Sequence, residues 1–257
     1  MRFSSIGSGS KGNGSVIQSG STTLLIDCGF SGVEARGRLE KLGIQAESLS
    51  AILVTHEHGD HSKGVAALSK KYNIPVYLTF GTHSALKKLD AEHVHIITPG
   101  QVFTINTLSI LPVTVPHDAV EPCQFVVSNE LGAKLGVISD CGHITPHMVE
   151  CYQQLHAIML ECNHDLDLLW NGAYPVSLKR RVGGEYGHLN NLQAAEFLRA
   201  IQSSTLTQVI ITHLSENNNH PEKALALLND NKHSHINVSL ADQESGIGWQ
   251  TIVPDPV

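Results

Sequence analysis

The 257-residue chain has no apolar run of the 18 or so residues that a membrane span needs. Its opening, Met1 to Val16, is polar and Gly/Ser-rich and lacks the apolar segment of a secretory leader, so a cytoplasmic protein without membrane attachment is expected. Aromatics are scarce at 5%, which leaves Leu, Ile, Val and Ala to fill the core. The five cysteines, Cys28, Cys123, Cys141, Cys151 and Cys162, form no CxxC pair. Neither a Cys-rich zinc site nor a disulfide framework is indicated, and no disulfide-linked partner is expected. A surplus of positive charge is also missing. The formal charge of −7 argues against a surface coated for nucleic acid, though it leaves room for a local basic strip. No repeat, linker or low-complexity tract divides the chain, so residues 1–257 read as one domain with ordinary globular composition. Nothing in the sequence speaks to oligomeric state.

Histidine is the residue in excess, with 16 copies. It is the commonest metal ligand and a general acid or base near neutral pH. One rhythm then recurs along the chain. Apolar runs of strand length each end on a polar residue able to ligate: Thr22 to Ile26 before Asp27, Ala51 to Val54 before Thr55-His56, Gly136 to Ser139 before Asp140, Ala157 to Leu160 before Glu161, and Val209 to Thr212 before His213. Such runs read as strands covered on both faces, and reactive groups just past strand C-termini are where α/β sheets build sites.

Helical patterns lie between the runs. Ser31 and Glu34 predict a capping box for a helix to about Leu42, Val65, Leu68 and Tyr72 recur at helical spacing, Asn190 caps a helix with Ala194, Phe197, Leu198 and Ile201 inside, and Pro221 opens another. Gln101 to Ser139 is β-rich and poor in helix. Strands and helices mixed in this way predict an α/β sandwich, helices outside and two sheets within.

The segment His56-x-His58-x-Asp60-His61 carries the chemistry. A zinc helix of the HExxH kind places its histidines at i and i+4, whereas His56 and His58 stand at i and i+2 and share a direction only in extended backbone. Gly59 then allows a sharp turn that sends Asp60 and His61 toward a second position. His117, in Val115-Pro116-His117-Asp118, joins Asp140 and His213 as a candidate further ligand, since a polar group at the end of a buried strand needs a partner. Taken singly, each is equally a hydrogen-bonding core residue.

The set His56, His58, Asp60, His61, His117, Asp140 and His213 resembles the full ligand set of the metallo-β-lactamase superfamily, and Gly7-Ser8-Gly9-Ser10-x-Gly12-Asn13 is similar to its opening. The resemblance spans most of the chain and implies a four-layer αββα sandwich. It also implies that His56, His58 and His117 hold one divalent metal, that Asp60, His61 and His213 hold a second, and that Asp140 bridges them, with Asp27 as structural support. Zn, Mn or Fe suits such mixed donors. Leu160-Glu161-Cys162-Asn163-His164-Asp165 and Gly187-His188-Leu189-Asn190-Asn191 are similar to signatures of the YycJ-like (WalJ) bacterial family, compact relatives of RNase J and RNase Z proposed as exonucleases on DNA.

That resemblance implies a hydrolase, with a phosphodiester of DNA or RNA as substrate. Two adjacent cations suit in-line displacement at phosphorus, whose transition state gathers negative charge on oxygens. Asp60 would orient the attacking water, and His188, in a loop between Gly187 and a helix start, is the candidate general acid. Lys179, Arg180 and Arg181 would meet phosphates, and Asn163 and His164 are candidate substrate contacts. Ser10 and Asn13 suit either phosphate binding or a plain Gly-rich turn. A thioester, lactone or cyclic phosphodiester hydrolase would use the same metals, and the acidic net charge favours that alternative.

Overall fold

Alternate side chains of the buried runs enter different cores, which explains why those runs are apolar throughout. In the strand Thr22–Ile26, Leu24 and Ile26 face one cluster and Leu25 another, and in Ala157–Glu161, Met159 and Leu160 divide in the same way. The computed structural model describes residues 1–87, 89–201, 204–228 and 236–253.

Among the described residues the strands form two seven-stranded sheets. The first contains β1 (Arg2–Gly7), β2 (Gly14–Ser19), β3 (Thr22–Ile26), β4 (Ala51–Leu53), β5 (Val76–Thr79) and β6 (Val94–Ile97) in sequential order. The second contains β7 (Phe103–Ile105), β8 (Leu108–Thr114), β9 (Cys123–Asn129), β10 (Lys134–Ile138), β11 (Ala157–Glu161), β12 (Gln208–Thr212) and β13 (Asn237–Leu240), again sequentially. Strand β14 (Ile247–Thr251) returns to pair antiparallel with β1. Each sheet begins antiparallel and becomes parallel, at β3–β4 and at β10–β11. The parallel strands therefore end at a common edge.

Helices α1 (Gly32–Lys41), α2 (Gly59–Ser62), α3 (Val65–Tyr72) and α4 (Phe80–Ala85) accompany the first sheet in sequence. Helices α5 (Pro146–Cys151), α6 (Leu166–Asn171), α7 (Val176–Val182), α8 (Asn191–Ala200) and α9 (Pro221–Leu228) accompany the second. Three buried clusters separate the layers. Ala35, Leu39 and Leu68 pack on the first sheet, Phe3 and Leu24 meet Phe125 and Val137 between the sheets, and Phe197 and Ala224 cover the second. This is the αββα sandwich that the resemblance implied. No helix among the described residues is long and apolar enough to cross a membrane.

Two local expectations change. Only half of the capping box at α1 forms: Ser31 accepts Glu34 N–H, but the Glu34 carboxylate pairs with Arg38 one turn on, the stronger charged partner. Gly59 does not use a left-handed conformation; it opens α2, so a helical start rather than a glycine turn separates His58 from Asp60. At Asn190 the capping box is complete.

Candidate metal centre and catalytic cavity

The loop that carries His56 to His61 is held by its own main chain. Asn13 N–H donates to the Asp60 carbonyl at 2.8 Å and Cys28 N–H to the His61 carbonyl at 2.7 Å. Gly29 permits this approach, because a Cβ there would lie 1.8 Å from Asp60 O. Two non-glycine residues at strand ends, Asp27 (φ 62°) and His213 (φ 50°), adopt the left-handed region, a strain of about 1–3 kcal/mol each that surrounding bonds must hold. Asp27 N–H is tied to Leu53 O, and His213 N–H to Ser8 Oγ.

A neutral imidazole has one donor and one acceptor. Here most Nδ1 donors meet groups that flank the cluster, while His58 Nδ1 faces His117 Nε2 at 3.3 Å. His61 Nδ1–H donates to Asp27 Oδ2 at 2.7 Å, and His117 Nδ1–H to the Gly187 carbonyl at 3.0 Å. His188 and His213 both donate from Nδ1 to Glu161 Oε1, at 2.7 and 3.1 Å. Thr55 Oγ1 donates to Asp27 and so accepts from His56 Nδ1. In the neutral form of these five rings Nε2 is the unprotonated nitrogen, the arrangement that outer carboxylates and carbonyls impose on metal-ligating histidines.

These nitrogens gather around Asp140. Ligand atoms of His56, His58, His117 and Asp140 lie within 4.8 Å of one another, and so do those of Asp60, His61, Asp140 and His213. His56 Nε2 is buried without a hydrogen-bond partner, and Asp140 Oδ1 is buried with only the imidazoles of His213, at 2.8 Å, and His61, at 3.3 Å, beside it. Orphaned buried acceptors are costly in a protein interior, and nitrogen and carboxylate oxygen donors grouped in this way fit divalent cations. Asn13 Nδ2 stands 3.0 Å from His61 Nε2, so ligation by His61 requires the amide to yield that position. In a third group, Asp140, Glu161, His188 and His213, the Glu161 carboxylate already accepts from both imidazoles.

The carboxylates and burial together set the protonation of the rings. Burial disfavours a charged His213, yet Asp140 and Glu161 overcome this and push its pKa up to about 10. His61 is likewise raised despite burial, by Asp140 and Asp27. Burial disfavours the charge on Asp140 as well, but His213 and His61 hold its carboxyl well below the usual range. Burial, aided by the neighbouring His61, keeps His56 well below the ordinary imidazole value. Burial also opposes charge on His188, and the Glu161 carboxylate holds it above that value.

The cluster opens into a cavity of about 330 Å³ lined by His58, Asp60, Asp140, His188 and His213, with Ser10, Asn163, Tyr174 and Arg181 among the walls. The Asp60 side chain is 26% exposed and its Oδ2 lies 3.7 Å from His61 Nε2 and 3.9 Å from His213 Nε2. The basic triplet divides. Arg181 lines the cavity and pairs through Nε with Asp118 Oδ2 at 2.6 Å, Lys179 Nζ is tied to the Trp170 carbonyl, and Arg180 is exposed. Asn163 lines the cavity and donates to the His213 carbonyl. His164 does not line it; its ring is buried with neither nitrogen bonded, and burial pushes its pKa down to about 4. Asn13 closes a turn through reciprocal bonds with Gly9, while Ser10 reaches the cavity.

Glu161 is the residue that sequence reasoning left without a role. Fully buried, it accepts from two imidazoles through Oε1 and from Cys141 N–H and Leu189 N–H through Oε2. Its place at the end of an apolar run was the available signal. Asp118, directly after His117, likewise gains its meaning only from Arg181, 63 residues away.

Asp27→Asn is expected to fold, because asparagine tolerates the left-handed conformation. One end of the amide must accept Thr55 N–H, which leaves its NH₂ facing His61 Nδ1–H and drives that ring to the other tautomer. Competition with a chromophoric chelator should show metal affinity lower by roughly 10–100-fold. An unchanged affinity would mean that Asp27 does not set the His61 ring.

Two mixed sheets packed face to face, helices outside them, and a His/Asp cluster across their strand ends define the metallo-β-lactamase class of fold. The chain belongs to that superfamily, since the family described as "Beta-lactamase superfamily domain" matches residues 22–214. Among its relatives, the exodeoxyribonuclease YycJ of Bacillus anthracis is 32% identical over 252 residues, covering 96% of this chain and 91% of that protein. The exodeoxyribonuclease WalJ of Streptococcus pneumoniae serotype 2 is 31% identical over 254 residues, with the same coverage of 96% and 91%. Solved structures share the architecture at low identity. The metallo-β-lactamase fold protein YhfI of Bacillus subtilis aligns with a TM-score of 0.74 at 19% identity, over 97% of this chain and 99% of that one. The short form of human tRNase Z aligns with a TM-score of 0.69 at 18% identity, over 98% and 100%.

Proposed function

We propose that this chain is a metal-dependent phosphodiesterase and, like the relatives named exodeoxyribonuclease, acts as an exonuclease on DNA. The observation that carries the reading is the pair of four-residue donor groups sharing Asp140 and opening, through Asp60, into a small cavity that also presents Arg181 and His188. His56, His58 and His117 would hold one cation, Asp60, His61 and His213 the other, and Asp140 would serve both; Zn, Mn or Fe fits these donors. When bound, the cations supply positive charge to the attacking and leaving oxygens of an in-line displacement.

The remaining steps belong to the protein. Asp60, free of hydrogen-bond donors among the described residues, orients the attacking water and accepts its proton. Arg181, steadied by Asp118, meets a non-bridging phosphate oxygen. His188, held through Nδ1–H by Glu161, whose charge also favours the doubly protonated ring, turns Nε2–H to the leaving oxygen and delivers that proton. A cavity of about 330 Å³ is at the small end of ligand pockets and admits a chain end rather than an intact duplex, which favours removal of terminal nucleotides.

The test is activity profiling of protein loaded with Mn²⁺ or Zn²⁺ against end-labelled single- and double-stranded DNA, RNA, an aryl phosphodiester and a thioester. Stepwise release of mononucleotides from DNA is the expected result. Thioester turnover with every nucleic acid left intact would overturn the reading and favour a small-molecule hydrolase.

A further inference from the structure

We propose that the corner formed by α6, α7 and the loop to His188 is a stacking platform for single-stranded nucleic acid, with Trp170 and Tyr186 receiving bases beside the catalytic cavity. The class of occupant rests on the phosphodiesterase reading; the platform itself rests on where the aromatics lie.

The chain has only six Phe, two Trp and five Tyr. Phe3, Phe30, Phe125, Tyr152 and Phe197 are spent inside the protein. Two of the large exposed aromatics, Trp170 at 49% and Tyr186 at 60%, belong to α6 and to the loop that follows α7, where folding gains little from burying them. Lys179 Nζ, bonded to the Trp170 carbonyl, ties the end of α6 to α7. The indole edge lies against Gly183, where a Cβ would meet Trp170 Cζ2 at 3.7 Å. The chain then folds back, with Gly187 N–H on the Gly184 carbonyl and His188 N–H on the Val182 carbonyl. Tyr186 is fixed to the catalytic side by its carbonyl, which accepts Asp118 N–H at 2.9 Å, and the same Asp118 holds Arg181.

A chain of contacts thus runs from Asp118, next to His117, to Arg181 and to the Tyr186 carbonyl, and Trp170 lies against Gly183 of the same loop. Tyr174, its hydroxyl held by Asn217, shares the cavity wall with Arg181 and makes the corner continuous with the cavity. Exposed Arg180 adds charge on a chain that is acidic as a whole. Aromatic faces interleaved with guanidinium groups are the chemistry of single-strand binding, since bases stack on the rings and phosphates meet the cations. In a duplex the base faces are already covered by one another, so the platform selects an unpaired end and feeds it to the cavity.

Trp170 is one of two tryptophans and can report its own occupancy. The other, Trp249, is half-buried, with Arg2 over its ring and its Nε1–H on the Leu42 carbonyl. In metal-loaded Trp249→Phe protein, a phosphorothioate oligothymidylate that resists cleavage is titrated against Trp170 emission. An abasic chain of equal length and charge, and a duplex, are run beside it. The expected result is quenching by the single strand alone. Trp170→Ala with Tyr186→Ala should weaken single-strand binding by about tenfold or more, while the abasic chain and aryl phosphodiester turnover change by less than about twofold. Trp170→Phe, which keeps a stacking face in the same place, should retain most of the binding and guards against misfolding. Absence of quenching, equal quenching by duplex, or equal loss on the abasic chain overturns the platform. Cleavage of DNA unaffected by the two substitutions leaves the phosphodiesterase reading and removes the platform. Quenching by single strands in a protein that cuts no nucleic acid does the reverse.

Discussion

Asp60→Asn is expected to lower hydrolysis by roughly 10³-fold while the protein melts within a few degrees of the parent. The two halves of that result come from different atoms of one residue. The backbone carbonyl of Asp60 is structural: it accepts from Asn13 N–H and sits against Gly29, and the substitution leaves it in place. The carboxylate does no such work, since it is 26% exposed and bonded to no donor among the described residues. An amide neither ligates as strongly nor takes a proton from water, so several kcal/mol of transition-state stabilisation disappears at each 1.4 kcal/mol per tenfold in rate. Turnover, thermal melting and bound-metal content measured on one preparation separate the causes. Turnover within about threefold of the parent would assign water activation to another residue.

Glu161→Gln is expected to damage both stability and rate. Its Oε2 accepts two backbone N–H groups, and the amide must keep its oxygen there. The NH₂ end then faces His188 Nδ1–H and His213 Nδ1–H, donor against donor, at a fully buried site. Both rings must then carry their proton on Nε2, which blocks that nitrogen of His213 as a ligand and leaves His188 a neutral, weaker acid. Loss of a buried charged partner costs about 3–5 kcal/mol, or roughly 10 °C for a chain of this size. A wrong tautomer on the proton-transfer histidine lowers rate by as much as about 10⁴-fold. The signature of positioning is spectroscopic: the downfield Nδ1–H resonances of His188 and His213 should vanish together. Both resonances intact, with rate near that of the parent, would refute the role.

The parts of this site visible in the sequence are those whose identity is local. His56, His58, Asp60 and His61 share one hexapeptide, and Asp140 and His213 follow apolar runs that alternation between two cores makes conspicuous. The αββα layers were legible for the same reason, since such runs need cover on both faces. What stayed hidden depends on partners far away in the chain. Glu161 matters because β11 ends beside β10 and β12, bringing His188 and His213 to one carboxylate. Asp118 matters because α7 returns Arg181 to it. Lys179 looked like one third of a phosphate-binding triplet, but the geometry of the α6–α7 corner turns its ammonium to the Trp170 carbonyl. The pairing of β14 with β1 has no local signal at all.

The six nitrogen and oxygen donors around Asp140 are spread from residue 56 to residue 213, and this fixes an order of biosynthesis. As the chain leaves the ribosome, His56, His58, Asp60 and His61 emerge together on a half-built first sheet, some 150 residues before His213. A cation met at that stage finds an incomplete set, and His213 takes its own place only when β12 has joined β11 and Ser8 has captured its amide. On the proposed ligand set, full occupancy would therefore be a late event of maturation, and a truncated chain ending before β12 would expose a loose, exchangeable cluster of histidines.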